Sequence, residues 1–184
     1  MQQLSTTTIH DDFYGTRQVT YYTTDAGKVV IDGDIIYGTL EEFQHAEAAV
    51  GTAQAVRSLS YKRTLPWPNA TILYRFHSAE DEKIAKPIVE TAIARWTKAA
   101  PYLQFKPTTN GNQTMRGTIK ISAIGNGGCR STVGYYANGE MGMFLQAGGC
   151  GPDQAVHEFG HALGMCLEAL PCLGDPIVLT PCLP

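Results

Sequence analysis

A chain of 184 residues is long enough for one main domain with a smaller appendage, and a hydrophobic fraction of 43% can fill a core. Its net charge of −3, with no run of lysine or arginine, argues against nucleic acid or an anionic membrane as a partner. No apolar stretch approaches membrane-spanning length, and residues 1 to 20 lack the basic start and apolar centre of a signal peptide, so the sequence as given shows no export signal. Residues 1 to about 27 are polar and Thr/Tyr-rich without a clear period, which predicts an extended or poorly ordered segment. Val29 to Tyr37 predicts a hairpin about Asp32-Gly33, and Thr39-Leu-Glu-Glu42 is a capping box opening a helix through about Ala55.

Thr71 to Phe76 predicts a strand with Ile72, Tyr74 and Phe76 on a buried face and Thr71, Leu73 and Arg75 on the other. Ser78 with Asp81 starts a helix whose inward stripe is Ile84, Ile88 or Val89, Ala92, Ile93 and Trp96, ending near Pro101 with Pro87 as a kink point. Strands follow at Leu103 to Lys106 and Thr118 to Ser122, joined by a polar loop, and at Met141 to Gln146, bounded by glycines. Asn69-Ala-Thr71 and Asn112-Gln-Thr114 are glycosylation sequons, relevant only if the chain is exported. Five cysteines cannot all pair within one chain, so at most two bridges form.

The chemistry is concentrated in Ala155-Val-His-Glu-Phe-Gly-His-Ala-Leu-Gly-Met-Cys-Leu-Glu168. On a helix His157 and His161 lie at i and i+4, so both imidazoles leave one face and can hold one Zn²⁺, with Glu158 beside them as general base. Zinc lowers the pKa of a bound water to about 7, so the arrangement suits peptide-bond hydrolysis. Val156, Phe159, Ala162 and Leu163 give the helix an apolar side, and Gly164 can end it by reversing the chain. The competing reading is a structural helix that carries two histidines by chance.

His157 to Glu168 resembles the metzincin signature H-E-x-x-H-x-x-G-x-x-H-E in the form used by the astacin family of zinc endopeptidases. Leu65-Pro-Trp-Pro-Asn-Ala-Thr-Ile-Leu-Tyr74 is similar to the W-P-x-G-x-I-P-Y opening of mature astacins, with Ala70 and Leu73 departing from it. Gly127-Gly-Cys-Arg-Ser-Thr-Val-Gly134 is similar to G-C-x-S-x-V-G, and Phe144 to Cys150 to S-L-x-x-x-G-C. Ile31-Asp-Gly-Asp34 is similar to the F-x-G-D motif of the family's pro-segment, whose aspartate binds the zinc; a plain hairpin turn remains the other reading.

The resemblance implies an α+β, zincin-like N-terminal subdomain: a twisted mixed sheet, a scaffold helix and a zinc-binding helix. It implies a pro-segment over residues 1–62, a catalytic subdomain over 63–168 and a tail over 169–184 that is foreign to the family. It further implies Zn²⁺ on His157 and His161, Glu158 as base, Asp34 as latency ligand and a Cys129 to Cys150 disulfide. Glu168 would pair with the N-terminus freed when the pro-segment is cut near Arg57, Lys62 or Arg63. A protein or peptide substrate would dock on an edge strand near Met141 to Gln146. The protein would be an extracellular monomer.

The third zinc ligand of the signature falls at position 167, where this chain has Leu167, which cannot bind zinc. Beyond Glu168 there is no His, Tyr or Met, so the family's methionine turn and catalytic tyrosine are missing, and a shifted reading frame, retained intron or truncated gene prediction is expected. Cys166 or Cys172 could substitute as a thiolate ligand. Three readings stand open: a zinc endopeptidase, a catalytically inactive remnant that binds zinc or peptide, or an unstable gene fragment with no function.

Overall fold

The computed structural model describes residues 4–11, 15–48, 50, 66–109 and 115–165. The chain divides between residues 64 and 65 into two compact units.

In the first unit the strands β1 (Ser5–Asp11), β2 (Gly15–Thr23), β3 (Lys28–Ile31) and β4 (Ile35–Thr39) run in sequence order, and each adjacent pair is antiparallel. Residues 5–11 and 15–23 are thus extended and paired, in line with the extended alternative of the sequence reading and against poor order there. The period is hidden because Thr7 stands opposite Val19 and Ser5 opposite Tyr21, so hydroxyl residues occupy the same face as apolar ones. Threonine fits a pleated surface well.

The predicted hairpin about Asp32-Gly33 is present as β3 and β4. Asp32 adopts φ 52° and Gly33 φ 101°, and Arg17 holds the turn through a 2.6 Å ion pair with Asp32. The capping box at Thr39 also forms: Thr39 N–H donates to Glu42 Oε2 at 2.7 Å, and Glu42 N–H to Thr39 Oγ1 at 3.2 Å. It opens α1 (Leu40–Ala48), which ends earlier than expected, with Val50 already in a turn and residues 51–55 outside the described part. Phe43 is fully buried on this helix, between the rings of Tyr21 and Tyr37 at 4.5 and 5.3 Å.

The second unit orders its strands β8-β9-β7-β5-β6, from β5 (Thr71–Phe76), β6 (Gln104–Pro107), β7 (Ile119–Ser122), β8 (Cys129–Ser131) and β9 (Met141–Leu145). The β5–β6, β5–β7 and β7–β9 pairs are parallel and β8–β9 is antiparallel, giving the mixed sheet expected. Helices α2 (Ala79–Ala99) and α3 (Pro152–Ala162) contribute Val89, Trp96 and Phe159 to one core with Ile72, Ile119, Met141 and Met143. Each such side chain, fully buried, contributes about 1.5–3 kcal/mol.

Helix α2 starts at Ser78, whose hydroxyl accepts from Asp81 N–H, and continues through Pro87. Its buried stripe is Asp81, Ala85, Val89, Ala92 and Trp96, while Ile84 and Ile88 are only half-buried. The sequence reading preferred large side chains where the close contact uses alanines. Asp81 lies inside because its carboxylate accepts from Ala123 N–H at 2.7 Å and Ile124 N–H at 3.1 Å, which ties the start of α2 to the end of β7.

Ahead of β5, Trp67 is buried and its indole N–H donates to Ala162 O at 2.8 Å. The turn that follows holds Ala70 at φ 51°, a left-handed conformation. This is the position where the astacin pattern has glycine, and the backbone explains the preference, since a Cβ there costs about 1 kcal/mol. Ala70→Gly is expected to raise the unfolding free energy by about 1 kcal/mol, read from urea unfolding.

Arg75 was expected on an outward face, yet it is 1% exposed. Its guanidinium donates to Glu140 Oε1 from Nε at 2.8 Å and from Nη2 at 2.5 Å, while Lys120 pairs with Glu140 Oε2 at 3.2 Å. Burial pushes the Glu140 carboxyl up, but the Arg75, Met115 N–H and Lys120 hydrogen bonds outweigh it and hold the group below its ordinary 4.5. Burial likewise raises Asp81, and the Ser78 hydroxyl and the two backbone N–H groups reverse that, leaving it below 3.8.

Folded pKa values below the unfolded ones mean that the unfolded chain binds more protons in acid. Stability from both carboxylates is therefore complete above the ordinary carboxylate range and is lost as pH falls through their depressed values. Urea midpoints are expected to be flat near neutrality and to fall between about pH 5 and pH 2, with a shallower fall in Asp81→Asn.

Candidate metal centre

Helix α3 begins with Pro152 after Gly151, a position where proline's missing N–H costs nothing. Gln154 Oε1 accepts from Gly151 N–H at 2.9 Å, so the side chain of the third helical residue closes the N-terminus. The helix is fixed along its length by two indoles, Trp96 Nε1 donating to Val156 O at 3.0 Å and Trp67 Nε1 to Ala162 O at 2.8 Å. Neither tryptophan was legible as a support for the site. Val156, Phe159 and Ala162 are buried as expected, and Leu163 is half-buried.

The C-terminus closes as the glycine predicted. Gly164 takes φ 94°, its N–H donates to His161 O at 2.8 Å, and Met165 N–H donates to Gly160 O at 3.0 Å. These paired bonds are the Schellman arrangement, which needs a residue that tolerates the left-handed region. The reversal returns the Met165 carbonyl oxygen to His161 Nδ1 at 2.9 Å. A carbonyl can only accept, so Nδ1 carries a proton, and in the neutral ring the lone pair is on Nε2.

That geometry is a direct test of fit for zinc. The rings of His157 and His161 are 4.6 Å apart between centroids and at right angles. Two imidazoles project from one helical face, and the second is orientated by a backbone carbonyl of the kind that orientates metal-binding histidines. Glu158 adjoins His157 in the chain and is buried. The described residues therefore fit two of the three protein positions of a catalytic zinc site. The third position, Leu167, lies outside the described residues together with Cys166, Cys172 and Glu168.

The disulfide expected from the resemblance is present: Cys129 at the start of β8 is bonded to Cys150, just ahead of α3, across a separation of 21 residues. Closing a loop of that size contributes about 3 kcal/mol. After β8 the chain returns to the helix, and Gly134 N–H donates to His161 O at 2.8 Å.

The family model for Astacin, a peptidase family, matches residues 59–170, more than half of the chain. The chain belongs to the astacin family. Astacins are zinc metallopeptidases, and His157, Glu158 and His161 all fall inside the matched segment. No curated protein matches the chain. Among the described residues of this astacin, no helix is long and apolar enough to cross a membrane.

One expectation for the astacin cleft is corrected. Met141 to Leu145 is not an edge strand, because β9 pairs with β7 on one side and β8 on the other. The edge position was implied by the resemblance, but Met141, Met143 and Leu145 are all buried. In the order of this unit the outer strands are β8 and β6. Asp34 lies in the first unit, half-buried at the end of the β3–β4 turn.

Proposed function

We propose that the chain is a zinc-dependent endopeptidase that hydrolyses peptide bonds in proteins and is held latent by residues 1 to about 62. The observation that carries this reading is the His157 and His161 pair at right angles and 4.6 Å apart, with His161 fixed by the Met165 carbonyl. His157 and His161 would hold the zinc, which when bound supplies Lewis acidity toward a peptide carbonyl and acidifies water. Glu158 accepts the proton of the attacking water on a carboxylate oxygen and returns it to the leaving amine. Its burial excludes bulk water from that exchange.

An extended substrate adds to β8, whose main-chain groups bind a polypeptide with little regard to side chains. Asp34 is the latency carboxylate, presented by a hairpin turn in which Gly33 takes φ 101°. Cys166 is the candidate replacement for the third ligand, and Glu168 pairs with the N-terminus created by activation. The family and the Cys129–Cys150 bridge both favour an extracellular, oxidising location.

A second reading is favoured by one residue. Leu167 stands at the third-ligand position, and a two-histidine site binds zinc more weakly, which suits an inactive zinc- or peptide-binding remnant. The test compares the full chain with its Asp34→Ala variant for bound zinc and for cleavage of an unfolded protein substrate. Chelator-sensitive cleavage that increases in Asp34→Ala supports the latent enzyme. Stoichiometric zinc without cleavage supports the remnant, and absence of both contradicts each.

A further inference from the structure

We propose that Asn69 is an N-glycosylation site, carrying an oligosaccharide on its side-chain amide. Three independent features of the chain converge on it. The tripeptide Asn69-Ala-Thr71 has the acceptor amide, a middle residue other than proline, and the threonine hydroxyl that a glycosyltransferase reads. The tripeptide also occupies the right kind of place in the fold. Asn69 is exposed in the short turn Pro68–Ala70 at φ 53°, a left-handed conformation that asparagine adopts more readily than most residues. The Thr71 hydroxyl donates to the backbone carbonyl oxygen of Asn69 at 3.3 Å, which holds the turn at the acceptor residue.

The folded product must keep a large hydrophilic group in water without disturbing the core. The turn allows that, since it is anchored from beneath by buried Trp67, whose ring packs on Tyr135 at 5.0 Å and whose indole is bonded to Ala162 O. The Cys129–Cys150 disulfide supplies the third feature. It marks a chain that matures in an oxidising compartment, and in cells with a secretory pathway that compartment also performs N-linked glycosylation.

The transfer balances with one named co-substrate, a lipid pyrophosphate-linked oligosaccharide. Asn69 Nδ2 forms a bond to the anomeric carbon of the first sugar, and the bond from that carbon to the pyrophosphate oxygen breaks. The lipid pyrophosphate leaves with the electron pair, and one amide proton passes to a base of the transferase.

The experiment expresses the full chain behind an export leader in a eukaryotic secretory host and maps the secreted, disulfide-bonded protein by peptide mass spectrometry. The peptide containing Asn69 is expected to carry an N-acetylhexosamine-based glycan, and an amidase that releases it should convert Asn69 to aspartate. Arg75 and Lys98 allow trypsin to separate this peptide from the second sequon at Asn112. Thr71→Ser should retain the modification and Thr71→Ala should lose it. An unmodified Asn69 peptide in the secreted chain, or a glycan that persists in Thr71→Ala, would overturn the assignment.

Discussion

Glu158→Gln is expected to lower zinc-dependent peptide hydrolysis by about a hundred- to ten-thousand-fold while changing zinc affinity by less than about threefold. The two effects separate because the carboxylate is assigned to proton transfer and the imidazoles to the metal. Glutamine fills the same buried volume and keeps hydrogen-bonding capacity, so the helix should remain intact. It cannot accept a proton at neutral pH. Initial rates on a fluorogenic peptide, paired with zinc competition against a chelating dye, give both quantities from one preparation. Hydrolysis unchanged in Glu158→Gln would show that cleavage comes from elsewhere, including a contaminating protease.

Arg75→Ala or Glu140→Ala is expected to destabilise the chain by about 3–5 kcal/mol. The side chains are 1% and 8% exposed, so removing either takes from a charge in low-dielectric surroundings its shortest hydrogen bonds. The pair joins β5 to the start of β9 across β7, which explains why its loss should be felt by the whole sheet. The double replacement Arg75→Met with Glu140→Leu should recover most of the loss, because a buried pair and an apolar pair of similar volume are close in stability. Urea unfolding of the three variants measures this. A cost below about 1 kcal/mol for either single change would mean that the pair is solvated in the unstrained protein.

Helix α3 was the part most legible in the sequence. His157, Glu158, His161 and Gly164 have fixed helical spacing, and that spacing follows from backbone geometry alone. The structure adds what no spacing could state: the Gly164 reversal delivers the Met165 carbonyl to His161 Nδ1, so the stop signal of the helix also orientates that imidazole. The capping box at Thr39 and the N-cap at Ser78 were legible for the same local reason.

Non-local features were not legible. Arg75 reads as a surface residue in an alternating strand until Glu140, 65 positions away, is brought beside it. Met141 to Leu145 reads as an edge until the parallel partner β7 is known. Strands β1 and β2 concealed their pairing because threonine and serine stand on the inward face, where a hydrophobic period was sought. Trp96 reads as a core residue and Trp67 as part of an opening motif, and only their positions against Val156 and Ala162 show that they fix α3.

The central claim is that α3 is a sound zinc helix whose third ligand position is occupied by Leu167. Zinc affinity of the unaltered chain, His157→Ala and Leu167→His, measured side by side by competition titration, tests it most directly. The account predicts that Leu167→His tightens binding by more than about tenfold and that His157→Ala weakens it by a similar factor. Equal affinity in all three, or no zinc bound to Leu167→His, would contradict it.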